Sequence, residues 1–286
     1  MSETPDWFWQ AIDTKPERFV VEVDGCDINY QRWGEAGRPA LLFVHGHNSH
    51  AHWWDFIAPS FLDEYQVAAL DLSGMGDSDH RDEYSVDLYA EEILTVADHA
   101  GLSDQLVVIA HSFGGMMATR AAVTKPDRIK GLVLVDSGVR RPGSESPKDV
   151  ERWSKPKVYP DFDIARSRFR LQPPQTCENQ YIVDYIARNS VERIDEGWVW
   201  KFDEELSSRM RHGEDPRQDD FANIIVKAAL IYGELSKYFT EDSADYMQEL
   251  QSDLIVVPIA DAQHHLFLDQ PLAFIDELKK ILAAWQ

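Results

Sequence analysis

Ser112 stands at the centre of Ala110-His111-Ser112-Phe113-Gly114, with a small residue two places before it and another two places after. The five apolar residues 106–110 that lead in read as a strand buried on both faces, and residues 116–122 that follow read as a helix. A serine at the apex of a tight strand-to-helix turn is the arrangement of a nucleophile elbow, where the turn is strained and the helix packs close to the strand. Alanine is small enough for the first position. A serine hydroxyl is a weak nucleophile until a base takes its proton, so the rest of the chain has to supply a histidine, an acid and donors for an oxyanion.

The elements around that turn alternate. Residues 18–23 and 28–33 read as two strands joined by Asp24-Gly25, and residues 40–44 as a third strand running into His45-Gly46-His47-Asn48-Ser49. Residues 53–62 read as a helix and residues 66–70 as a buried strand closed by the loop Asp71-Leu72-Ser73-Gly74-Met75-Gly76-Asp77-Ser78. Residues 85–100 are amphipathic, with Ser85 as N-cap. The strand 129–135 ends at Asp136, and after a long break strands 228–232 and 254–259 and helices near 243–250 and 272–285 resume the pattern. Strands alternating with helices predict a parallel sheet covered on both faces. This gives a core of residues 1–137 and 221–286, an N-terminal extension over 1–16 docked by Trp7, Phe8 and Trp9, and a mostly helical inserted cap over the proline-rich stretch 138–220.

Composition narrows the setting. A chain of 286 residues, 44% hydrophobic and 11% aromatic, can bury one large core with an insertion. Its two cysteines, Cys26 and Cys177, have no metal-type spacing and fit a reducing compartment. The start of the chain is polar and acidic, unlike a signal peptide, and no apolar run reaches the ~18 residues of a membrane span, so the expectation is a cytoplasmic protein. A net charge of −22 argues against nucleic acid and anionic membranes as partners. The expected partner is a small-molecule substrate, and a homodimer stays open. Nine Lys or Arg against five acids between Arg140 and Arg170 form one local exception. The histidines at 45, 47, 50 and 52 crowd one loop, but no Cys or Asp accompanies them at ligand spacing, so no metal is expected there.

With these residues in place the sequence resembles the α/β-hydrolase fold family, in its cap-bearing branch of esterases, lactonases, carbon–carbon bond hydrolases, haloalkane dehalogenases and epoxide hydrolases. His45-Gly46 resembles the family's oxyanion loop, Asp71 to Ser78 its D-x-x-G-x-G-x-S loop, and His264 to Pro271 its C-terminal histidine motif. The resemblance implies a mostly parallel eight-stranded sheet with the cap inserted after the sixth strand. It selects His264 over His265 as the base, because a proline commonly sits seven residues beyond it. It implies an oxyanion hole from the N–H groups of His47 and Phe113, and no cofactor. Serine rather than aspartate at the elbow disfavours dehalogenase and epoxide-hydrolase chemistry. The family's usual acid lies three residues beyond a glycine after the seventh strand, and there this chain has Ser236. Asp136 is the expected acid instead, with Glu234 as the alternative. In the cap, Trp153, Arg168 and Phe169 are the candidate substrate contacts. The expected reaction is hydrolysis of a small or medium ester or lactone, or of a carbon–carbon bond, through an acyl-enzyme. A cofactor-free dioxygenase acting on a heteroaromatic substrate and a low-turnover receptor are the alternatives.

Overall fold

Fully buried five-residue runs form the middle of the sheet. Ala40–Val44, Gln66–Leu70 and Gly131–Val135 are such runs, and the strand Leu106–His111 is buried throughout as well. The computed structural model describes residues 4–102, 106–144, 157–211 and 217–286. Its strands in chain order are β1 (Glu17–Val23), β2 (Cys26–Trp33), β3 (Ala40–Val44), β4 (Gln66–Leu70), β5 (Leu106–His111), β6 (Gly131–Val135), β7 (Val191–Ile194), β8 (Gly197–Trp200), β9 (Lys227–Gly233) and β10 (Ile255–Ile259). Eight of them make one sheet in the order β1-β2-β4-β3-β5-β6-β9-β10, antiparallel only in the pairs β1–β2 and β2–β4. The tight β1–β2 turn places Asp24 and Gly25 at φ 47° and 72°, which an Asp-Gly pair tolerates.

Side chains alternate across the sheet, so each face has its own core. Leu42, Val44, Val108 and Ala110 point to one face, where α2 (Val86–His99), α3 (Phe113–Thr124) and α8 (Glu241–Leu250) bring Ile93, Met117 and Met247. Leu41, Phe43, Val107 and Ile109 point to the other, against α1 (Asp6–Asp13), α9 (Leu266–Asp269) and α10 (Pro271–Ala284). Ser85 caps α2 by accepting the Leu88 N–H at 3.1 Å. Residues 53–62 are not the continuous helix expected but two 3₁₀ turns, Ala51–Trp54 and Ala58–Phe61. Pro59 has no N–H to continue an α-helical ladder.

β3 lies between β4 and β5, so the chain leaves β3 toward one side and returns on the other. That reversal opens a crevice at the carboxyl ends of β3 and β5, where α/β sheets bind ligands. The segment between β6 and β9 lies over this end. It carries α4 (Phe162–Ser167), α5 (Gln180–Asn189), α6 (Leu206–Arg209) and α7 (Arg217–Ala222). It also holds the antiparallel hairpin β7–β8, which the expectation of a mostly helical segment omitted. Phe162, Phe169 and Trp198 pack around Ala165, Val191 and Trp200 there. Polar contacts tie the segment to the core, among them Tyr185, which donates to Asp55 at 2.5 Å, and His50 Nε2, which meets Ser190 Oγ at 2.8 Å. Phe8 of α1 touches both layers, with Phe56 at 5.9 Å and Tyr181 at 4.9 Å between ring centroids, while Trp9 is half exposed. No described helix is long and apolar enough to cross a membrane.

Candidate active site

The elbow holds Ser112 at φ 51° and ψ −117°, a strained conformation for a residue with a Cβ. The surroundings over-determine it, which is how such strain persists. The Ser112 N–H donates to the Val135 carbonyl at 3.0 Å, and the Ser137 hydroxyl donates to the Ser112 carbonyl at 2.6 Å. Close packing explains the small residue at position 114, since a Cβ there would lie 2.3 Å from the His45 carbonyl oxygen.

The loop between β10 and α9 delivers His264. The Gln263 N–H donates to Asp269 at 2.8 Å, and the His265 N–H donates to Gln175 at 2.8 Å, fixing the loop on both sides of the residue. His264 Nε2 lies 3.0 Å from Ser112 Oγ, and Nδ1 lies 2.6 Å from Asp136 Oδ1. Asp136 follows β6 at φ 44°, its N–H bound to the Ile231 carbonyl of β9 at 2.8 Å. Its Oδ1 also accepts the Ser236 hydroxyl at 2.8 Å, and its Oδ2 accepts the Gly233 N–H at 3.1 Å. Burial pushes the Asp136 carboxyl above the usual carboxylate range, and His264, the Gly233 N–H and Ser236 oppose that push. The structure thus brings Ser112, His264 and Asp136 into one hydrogen-bonded line.

Glu234 is not part of it. The chain turns after Gly233 so that residue 234 is exposed while residue 236 points inward and is buried. The rings of His47 and Phe113 pack edge to face at 5.4 Å, and both residues border the same cavity as Ser112. Phe113 is the first residue of α3, so its N–H has no partner within the helix. Burial lowers the His47 ring to about 4, leaving it neutral at neutral pH. The other histidines of that loop serve the fold. His45 Nδ1 meets the Gly46 carbonyl at 2.7 Å and its Nε2 accepts the Leu72 N–H at 3.0 Å, while His52 pairs with Asp55 at 2.6 Å.

The cavity measures about 810 Å³, room for a small or medium organic molecule. Met116, Val139 and Phe239 supply apolar wall, and Gln172, Ser207 and Gln218 supply polar wall from the covering segment. Two of the expected contacts lie elsewhere. Arg168 is exposed to solvent, and Phe169 packs in the cap core beside Trp200, bordering only a small side chamber. Trp153 lies outside the described residues. Two residues of the basic stretch are paired with acids: Arg166 with Asp184 at 2.5 Å, and Arg141, bordering the cavity, with Glu249 at 2.8 Å. Sequence reasoning missed Ser137, which pins the elbow, and Ser236, noticed only as a residue that could not be the acid. It also left His111 and His265 without a place beside His264.

The description "Alpha/beta hydrolase family" matches residues 41–277, and the chain belongs to that family. The chain spans a third to about half the length of several curated relatives it matches, among them human epoxide hydrolase 4, 33% identical over 119 residues, 41% of this chain and 33% of that one. The esterase Rv0045c of Mycobacterium tuberculosis is 27% identical over 283 residues, 96% of this chain and 92% of that one. Among solved structures, a thioesterase domain from the curacin biosynthetic pathway superposes with a TM-score of 0.76 at 23% identity, over 92% of this chain and 99% of that one, a likeness of fold.

Proposed function

We propose that this chain is a serine hydrolase acting on small or medium esters or lactones, or on a carbon–carbon bond beside a carbonyl, through an acyl-enzyme. The observation that carries the reading is the hydrogen-bonded line from Ser112 through His264 to Asp136, opening into a cavity of about 810 Å³. Asp136 accepts from Nδ1–H and so leaves a lone pair on Nε2 facing the serine. His264 takes the Ser112 proton as Oγ attacks the acyl carbon, and the N–H groups of Phe113 and His47 receive the oxyanion. The imidazolium then gives its proton to the leaving group. A water molecule, deprotonated by the same ring, releases the acid and restores Ser112. The full-length likeness to an esterase supports ester substrates. Epoxide opening through an alkyl ester needs a carboxylate where this chain has Ser112.

A fluorophosphonate is expected to label Ser112, located by peptide mass spectrometry, with ester turnover abolished in Ser112→Ala. Oxygen uptake on a heteroaromatic substrate without acyl-enzyme would replace this reading with a dioxygenase. Labelling without turnover across an ester and lactone panel would replace it with a receptor.

A further inference from the structure

The loop Asp71 to Ser78 takes no step in the proposed hydrolysis, yet three of its residues hold the stretch that carries the His47 N–H. The Leu72 N–H donates to His45 Nε2 at 3.0 Å, the Asn48 N–H donates to Met75 Sδ at 3.2 Å, and the Ala51 N–H donates to Asp71 Oδ1 at 2.6 Å. These rungs fall at residues 45, 48 and 51, with His47 between the first two. Met75 is a fixed post for the middle rung. Its side chain is fully buried, and its N–H donates to the Leu72 carbonyl at 3.0 Å. The glycines on either side of it are bonded to the covering segment. The Gly76 N–H donates to the Lys201 carbonyl at 2.8 Å, and the Gly74 carbonyl accepts the Asp203 N–H at 2.7 Å.

The peptide between His47 and Asn48 is gripped at both ends. Its N–H goes to Met75 Sδ, and its carbonyl accepts the Ser49 hydroxyl at 3.3 Å. Asn48 turns there at φ 55°, a left-handed conformation that asparagine tolerates better than most residues. The same stretch lies against the elbow, since a Cβ on Gly46 would stand 2.8 Å from His111 Nδ1 and 3.3 Å from Ser112 Cβ. One Cα separates the gripped peptide from the preceding one, which carries the His47 N–H. The direction of that N–H therefore depends on the grip. A thioether sulfur is a weak acceptor, but a leucine of similar size offers no acceptor at all.

We propose that Met75 is a positioning residue for the oxyanion. Its sulfur holds the His47–Asn48 peptide and so aims the His47 N–H at the oxygen that gains charge in the transition state. Met75 acts from behind the loop, because His47 and Ser49 border the cavity and Met75 does not. The inference rests on His47 as an oxyanion donor of the proposed hydrolysis.

Met75→Leu keeps nearly the same volume and leaves the rungs at His45 and Ala51 in place, so the fold is expected to survive. Removing an oxyanion donor outright costs about 10²–10³ in kcat, and a donor kept but misaimed is expected to cost about tenfold. On p-nitrophenyl acetate, kcat should fall by about that factor with KM within about twofold. A trifluoromethyl ketone, which takes Ser112 Oγ at its carbonyl carbon and places an alkoxide in the same hole, should bind about tenfold more weakly. The pH dependence of kcat/KM, set by His264, should not move. A merely structural role would lower the urea midpoint without weakening the ketone relative to the substrate. Amide hydrogen exchange followed by NMR reads the grip itself, and Asn48 should exchange faster in Met75→Leu than in the unaltered chain. Unchanged kcat and ketone affinity, a loss confined to KM, or unchanged Asn48 exchange overturns the proposal. A crystal structure of the unaltered chain with the Asn48 N–H turned away from Met75 Sδ overturns it without any substitution. Faster Asn48 exchange in the variant, with no ester turnover in the unaltered chain, leaves the grip standing and sinks the hydrolase reading alone.

Discussion

Asp136→Asn separates orientation of His264 from mere packing around it. Three donors face the carboxylate: His264 Nδ1–H and the Ser236 hydroxyl at Oδ1, and the Gly233 N–H at Oδ2. An asparagine brings one acceptor oxygen and one NH₂ group, so it cannot serve both sides. With its oxygen toward His264, its NH₂ confronts the Gly233 N–H, and a buried donor goes unpaired at about 1–3 kcal/mol. With its oxygen toward Gly233, its NH₂ faces Nδ1, and the imidazole must move its proton to Nε2. The backbone N–H cannot adapt, whereas a neutral imidazole exchanges tautomers, so the second arrangement wins. That tautomer cannot accept the Ser112 proton. The expected loss in kcat is ~10⁴, or about 5 kcal/mol of transition-state stabilisation. Stability should change by less than about 2 kcal/mol, because the hydrogen bonds of the second arrangement are kept and asparagine tolerates the positive φ of 44°. Glu234→Gln, on an exposed side chain, should leave kcat within about twofold. Initial rates on p-nitrophenyl acetate with urea unfolding of each variant decide the matter. An Asp136→Asn protein with more than a tenth of the original rate, or equal losses in the two variants, would refute the reasoning.

Acid should destabilise the fold before it protonates most carboxylates. Burial holds His45 down at about 4, so between pH 6.5 and 4 the unfolded chain binds a proton that the folded chain refuses, and stability falls with pH. Burial pushes Asp71 up to about 6, which acts the opposite way below that pH; each effect is worth about 3 kcal/mol and the two nearly offset. Burial also lowers His47, His50, His111 and His265, which act with His45, and raises the Glu92, Asp136 and Asp269 carboxyls, which act with Asp71. The histidine effect opens at about pH 6.5, above the value of about 6 to which Asp71 is pushed, and sets the sign. The urea midpoint in 1 M salt, which screens the self-repulsion of the acidic surface, should therefore be lower at pH 5 than at pH 7; an equal or higher midpoint would contradict this. Arg81→Leu should cost about 3–5 kcal/mol, since it strands the fully buried Glu92 that Arg81 Nε meets at 3.0 Å. Adding Glu92→Leu should recover part of that loss in the same unfolding assay.

Different parts of this molecule were legible for different physical reasons. Strands β3 to β6 declare themselves because both faces are buried and their sequences are unbroken apolar runs. The turn around Ser112 is legible because close packing excludes side chains, and the register of Pro271 singles out His264 from its neighbour. The hairpin β7–β8 is not, because its four-residue strands are mostly part-exposed and show no alternation. Arg168 and Phe169 misled because charge density and aromatic content in sequence do not reveal direction. Arg168 faces water and Phe169 fills the cap core. Gln172, Ser207 and Gln218 reach the cavity from unremarkable local sequence, placed by a fold of the covering segment that spacing alone does not encode.

The contact between Ser236 and Asp136 has a consequence for how such sites change over time. β6 and β9 are neighbours in the sheet, so the ends that could carry a carboxylate stand one strand apart, about 4.8 Å. The hydroxyl at position 236 already touches the carboxylate at position 136. A lineage can therefore exchange the two groups while Ser112 and His264 stay where they are, passing through a form with carboxylates at both ends. Introducing Ser236→Asp and Asp136→Ser in sequence retraces that route in the laboratory.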